Sequence, residues 1–117
     1  MGFKFEKLNV WNDSLEFGVK IHKLTRGFPK EELYVITSQI KRAADSIALN
    51  IAEGSTGQTN AEFKMFLGYA LRSAIEVVSC LYICKKRSLI NDEKFNELYK
   101  DSEKIVKKLQ ALRNSLK

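Results

Sequence analysis

From residue 65 to residue 84 only Arg72 and Glu76 carry charge, so a helix formed there is apolar nearly all the way round. Phe63, Leu67, Ala70, Ala74, Val77 and Leu81 follow one another at three- and four-residue steps and make one seam. Phe66, Tyr69, Ser73, Cys80 and Ile83 form a second stripe beside it, while Leu71, Ile75, Val78 and Tyr82 cover much of what remains. A helix of an isolated bundle keeps one wet face, whereas a helix apolar on every side has to be buried on two of them. A chain of 117 residues is one domain, too small to have a centre in which such a helix could be enclosed. The stretch therefore predicts self-association. A membrane span is the competing explanation, but Arg72 and Glu76 would each cost about 2.5–3.5 kcal/mol near a bilayer centre. No membrane partner is expected.

Three further helical segments separate around it. The first covers residues 9–26, with Leu8, Trp11, Leu15, Val19 and His22 along its apolar face and Gly27 as a natural stop. Pro29 is suited to open the second, residues 29–53, with Glu31 and Glu32 in its first turn at the positive end of the helix dipole. Leu33, Ile36, Ile40, Ala43, Ile47 and Asn50 give it a bundle seam, and Gly54 closes it. Thr59-Asn60-Ala61-Glu62 matches a capping box and starts the third, residues 60–87. Asn91 caps the fourth, residues 91–116, whose seam is Phe95, Leu98, Ser102, Ile105, Leu109, Leu112 and Leu116. The last three segments would each span roughly 35–40 Å. Rods of matched length joined by short loops predict an all-α fold, an antiparallel up-down-up-down four-helix bundle spanning residues 1–117 as one domain.

Catalytic chemistry lacks the residues it needs. His22 is the only histidine and sits on the apolar side of its helix, which rules out histidine-based triads and zinc motifs and suggests a structural role. The loop at residues 54–58 has glycines but neither the lysine nor the spacing of a phosphate-binding P-loop. The acidic pairs Glu31-Glu32 and Asp92-Glu93 are explained by helix starts, so no metal and no cofactor is expected, and the chain is not read as an enzyme. Cys80 and Cys84 lie four apart in an apolar run and read as buried reduced thiols, consistent with a cytoplasmic protein. Residues 1–10 carry Lys4, Glu6 and Lys7 and no apolar run, unlike a signal peptide.

Lys and Arg number 20 against 14 Asp and Glu, a net charge of +6 that favours polyanionic partners. Lys85-Lys86-Arg87 ends the third segment, and Lys100, Lys104 and Lys107 lie opposite the fourth segment's seam with Lys108 beside them. After Glu103 the chain has no acid. These cations form either a solvated face suited to the negative end of the helix or a surface that contacts phosphates without reading sequence. On the second segment, Gln39, Arg42, Ser46, Asn50 and Glu53 make a mixed polar stripe. It reads as a half-buried network fixing register or a subunit contact, with a solvated face and a ligand site as alternatives.

Phe28-Pro29, Glu32 and the run Gln39-Ile40-Lys41-Arg42-Ala43-Ala44-Asp45-Ser46-Ile47-Ala48-Leu49-Asn50-Ile51-Ala52-Glu53-Gly54 closely resemble the signature of the bacterial four helix bundle protein family. Trp11 upstream and Glu62-Phe63, Phe66-Leu67, Ala70, Ser73 and Glu76 downstream extend the resemblance over nearly the whole chain. That family includes proteins encoded in intervening sequences of the 23S ribosomal RNA gene. The resemblance implies assembly as a homopentameric barrel. A related branch, the accessory variability determinant of diversity-generating retroelements, consists of basic pentamers that bind nucleic acid and a reverse transcriptase.

Residues and resemblance together yield one expectation and one alternative. The expectation is a non-enzymatic homo-oligomer that binds structured RNA or DNA electrostatically through Arg42, Lys85, Lys86, Arg87, Lys100, Lys104, Lys107 and Lys108. Gln39, Ser46, Asn50, Glu53 and Glu76 would form its structural or interface network. The alternative is a protein-interaction scaffold whose oligomer docks a partner protein such as a reverse transcriptase or a ribosome-associated factor.

Overall fold

The computed structural model describes residues 2–117, and its element order is helical throughout. A short 3-10 turn, Lys4–Lys7, leads into α1, Asn9–Thr25. The long helices follow as α2, Ser38–Ser55, α3, Asn60–Lys86, and α4, Asp92–Ser115. At about 1.5 Å per residue α3 is roughly 40 Å long, close to the 43 Å longest dimension of the molecule. The helices must therefore run along that axis, and short turns make successive ones antiparallel. Each helix packs on its chain neighbours and α1 closes the ring on α4, the four-helix bundle that the periodicity predicts.

Side-chain caps decide where the two longest helices start. The Thr59 hydroxyl accepts from the Glu62 amide at 3.1 Å, and the Asn91 carboxamide oxygen accepts from the Lys94 amide at 2.8 Å. Both satisfy donors that a helix start leaves free. The α3–α4 turn is a Schellman closure with Ser88 in the left-handed region at φ 58. The Leu89 amide donates to the Cys84 carbonyl at 2.9 Å, and the Ser88 amide to the Lys85 carbonyl at 3.0 Å.

The second helix differs from its expected form. It does not begin at Pro29, whose ψ of 147 is extended. Lys30–Glu32 forms a 3-10 turn and Leu33–Thr37 a wider π-type turn, with Val35 outside helical geometry. This bent entry turns Ile36 into the core and leaves Leu33 outside, so the seam runs through Ile36, Ile40, Ala43, Ile47 and Ile51. At 18 residues α2 is about 27 Å long rather than 35–40 Å. Nor does Gly54 stop the helix. It lies inside α2, where an added Cβ would meet the Phe66 Cβ at 2.5 Å, so its small size serves a close approach of α2 to α3.

The apolar face expected for α1 is also corrected. Val10, Phe17 and Ile21 are the buried large apolar residues, with Ser14 and Thr25 continuing their stripe, whereas Leu15 and Val19 are exposed. The helix carries two apolar stripes, and packing against α2 and α4 buries this one, while Leu8 and Trp11 of the other pack partly against the core. For α3 the seam Phe63, Leu67, Ala70, Ala74, Val77 and Leu81 is buried as read. For α4, Phe95, Leu98, Ser102, Ile105 and Leu109 are buried, and Leu112 and Leu116 partly so. The buried hydroxyls of Ser14 and Ser102 donate back to the Val10 and Leu98 carbonyls, at 2.7 and 2.8 Å, and so need no partner across the core. At the end of the bundle away from the α3–α4 turn, Lys4 lies 5.1 Å over the Phe63 ring and Phe5 stands edge-on to Trp11 at 4.8 Å.

Candidate nucleic-acid interface

On α4, residues 100, 104 and 107 fall within one narrow sector because the intervals of four and three bracket the helical repeat. The apolar seam faces inward, which turns this sector out, and Lys100, Lys104 and Lys107 are all exposed. Among the described residues no carboxylate lies within ion-pair distance of these three or of Lys86. Their charge is therefore not consumed by an ion pair, although Glu103 lies beside them and Lys104 shares a depression with Asp13, Glu16 and Asp101.

Three of the remaining basic candidates are engaged. Lys108 pairs with Asp13 of α1. Lys85 reaches Asp92 at 3.7 Å and lies 4.6 Å over the Phe95 ring. Arg87 contacts Glu32 at 3.3 Å, which ties the α3–α4 turn to the α1–α2 turn at one end of the bundle. Surface pairs of this kind contribute only about 0.2–1 kcal/mol, so each of these cations remains exchangeable toward a phosphate. Arg42 does not join the α4 sector. It lines a depression on the α1–α2 side with His22, Tyr34 and Lys41.

The polar stripe on α2 is mostly not a network. Gln39 donates to the Glu76 carboxylate on α3 at 3.3 Å, one cross-helix link. Asn50 turns back to the Ser46 carbonyl at 2.8 Å, and Glu53 and Arg42 are exposed. Among the described residues Gln39 is thus the member of the stripe with a side-chain hydrogen bond to another helix.

Four polar contacts lie outside the sequence reading. His22 meets Asp45 at 3.0 Å and links α1 to α2. Lys20 reaches Asp101 at 2.8 Å and Glu97 at 3.3 Å, and Lys94 also holds Glu97 at 3.1 Å. The hydrogen bond to Asp101 raises the Lys20 amine above its usual value, and Lys94 followed by Lys20 lowers the Glu97 carboxyl. Lys20–Asp101 and Lys108–Asp13 line a depression of ≈ 260 Å³ between α1 and α4 that includes Lys104. No spacing rule links residues some eighty positions apart, and only the fold brings them together.

Cys80 and Cys84 are free and buried on the inner side of α3. Burial, then the charge of Glu76, raises the Cys80 thiol, and burial above all pushes Cys84 up to about 11. Such thiols are protonated and unreactive at neutral pH. Among the described residues no group of three His, Cys, Asp or Glu is placed to hold a metal.

The outer side of α3 is open in this single chain, with Met65, Tyr69, Ile75, Tyr82 and Ile83 all exposed. Among the described helices α3 is also the one long and apolar enough to cross a membrane. A second apolar depression, ≈ 720 Å³, lies between α1 and α2 and is walled by Leu15, Val19, Ala48 and Leu49.

Residues 6–111 match the family described as 23S rRNA-intervening sequence protein. Among solved structures the chain is similar to a protein of unknown function from the S23 ribosomal protein family of Bacteroides thetaiotaomicron VPI-5482. The two share 32% identity over 90% of this chain and 95% of the other, with a TM-score of 0.84. No curated protein matches the chain.

Proposed function

This chain belongs to the 23S rRNA-intervening sequence protein family, and from that premise we propose a non-enzymatic, homo-oligomeric accessory protein that binds structured RNA or DNA through its basic surface. The observation that carries the reading is the outer sector of α4, where Lys100, Lys104 and Lys107 stand exposed without carboxylate partners. Each subunit added to an oligomer repeats that sector, and phosphate contacts multiply with it. The open side of α3 supplies the reason to oligomerise, and a homopentamer is the assembly that the family resemblance implies. Two inward thiols suit a cytoplasmic setting. α3 is read as a bundle helix rather than a membrane span, since its seam is buried among the other helices.

Fluorescence anisotropy with a labelled RNA hairpin and a DNA duplex tests the reading. Affinity should fall steeply between 50 and 200 mM salt, as counterion release requires. Charge reversal at Lys104, Lys107 and Lys108 should weaken binding to both while leaving the helical circular dichroism intact. Absence of binding at low salt by a folded oligomer would end the proposal. Light scattering tests the assembly: a particle of monomer mass at micromolar concentration contradicts it.

The depression between α1 and α2 favours a second reading, a scaffold that docks a partner protein. Leu15, Val19 and Leu49 are exposed there with no core to join. A partner retained after nuclease treatment, and lost on Leu49→Glu, would select it.

A further inference from the structure

The turn between α1 and α2 gathers cations around an aromatic ring that the fold does not use. One depression of ≈ 420 Å³ is lined by Arg26 from the end of α1, Lys30 from the turn and Lys41 from α2, over Phe28 and Leu33, and no carboxylate lines it. A neighbouring depression shares Lys41 and Leu33 and adds Arg42 and Tyr34. Its one acid, Asp45, is already held by His22 at 3.0 Å.

Two features set this cluster apart from an ordinary wet surface. Among the described residues no carboxylate lies within ion-pair distance of Arg26, Lys30, Lys41 or Arg42, so the fold does not consume their charge. Tyr34 is 89% exposed, so its ring contributes almost no burial to the fold. The 3-10 and π-type turns hold that ring outward beside the cations, whereas a regular helix from Pro29 would not have the break at Val35.

We propose that this corner is a single-stranded nucleic-acid site, with Tyr34 stacking on an unpaired base and Arg26, Lys30, Lys41 and Arg42 contacting the flanking phosphates. Exposed aromatic rings interleaved with cations suit splayed bases, whereas a duplex hides its base faces and offers only phosphates to a basic surface. The inference rests on the nucleic-acid reading above and sharpens it, because it adds a preference for unpaired strand that the α4 sector does not give.

Anisotropy on a labelled twelve-nucleotide RNA and on its duplex, at low salt, separates the two. Tyr34→Ala should weaken single-strand affinity about tenfold, the scale of one lost stacking contact, and leave duplex affinity unchanged. Tyr34→Phe should bind like the wild type. Lys41→Glu with Arg42→Glu should weaken single-strand binding further and flatten its salt dependence. If the wild type binds both nucleic acids but Tyr34→Ala binds the single strand as tightly, this inference falls and the nucleic-acid reading stands. If the wild type binds neither, both fall. A change in particle mass on Tyr34→Ala would assign the ring to a subunit contact and overturn the inference.

Discussion

The α2–α3 edge and the α1–α4 edge of this bundle are built on opposite terms. Along the first, Gly54 lets α2 come against Phe63 and Phe66, and Ala43, Ala44, Ala70 and Ala74 are buried on the two helices. Among the described residues a single hydrogen bond, Gln39 to Glu76, crosses it. Along the second, Lys20 and Lys108 reach from one helix to acids on the other around an incompletely filled depression. Close packing gives stability that salt and pH leave alone, whereas exposed ion pairs give a weak hold that both can remove. The bundle thus has a firm side and a yielding side.

Substitutions should reproduce that ranking. Leu67→Ala, at a fully buried site on α3, is expected to cost about 2–5 kcal/mol in urea unfolding. Gly54→Ala should cost about 1–3 kcal/mol, because its methyl has nowhere to go without parting α2 from Phe66. Lys20→Ala should cost at most about 1 kcal/mol, and less still in high salt. A Lys20→Ala loss as large as that of Leu67→Ala would break the comparison.

Acid should act on the yielding side through the carboxylates that hold it. The Glu97 carboxyl titrates below its usual 4.5 when folded, so its contribution is present above that value and is lost as pH falls through the folded pKa. Lys20, raised above 10.5, contributes below that value and loses its hold as pH rises past its folded pKa. Wild-type melting temperature should therefore fall below pH 4.5 by more than that of Lys20→Ala, as differential scanning calorimetry would read. The smallest effect concerns the firm side: Cys80 and Cys84 should resist a thiol reagent at pH 8 in the folded protein and react at once in urea. Rapid reaction in buffer would mean that the firm side opens.

Legibility in the sequence followed the same division. The α3 seam could be read whole because its apolar residues dominate any helical register, and the α4 seam because charged residues leave a single stripe. Caps at Thr59 and Asn91 were readable because their bonds lie within four residues. α1 misled because Trp11, Leu15 and Val19 form as good a stripe as Val10, Phe17 and Ile21, and only the neighbours decide between them. The start of α2 misled because Pro29 is compatible with a first helical turn and with the extended cap that it forms here. At the candidate interface, spacing found the α4 sector. Of the cations near Tyr34 it found Arg42 but not Arg26, Lys30 and Lys41, which come from two helices and the turn between them.

The opening turn, Lys4–Lys7, has no buried residue, and by burial alone it would be called dispensable. Yet Lys4 roofs Phe63 and Phe5 abuts Trp11, so the turn acts as a stopper at the open end of the rods. Cutting residues 3–8 away would wet aromatic rings that belong to the interior, and a shortened chain should behave as though its core had been damaged.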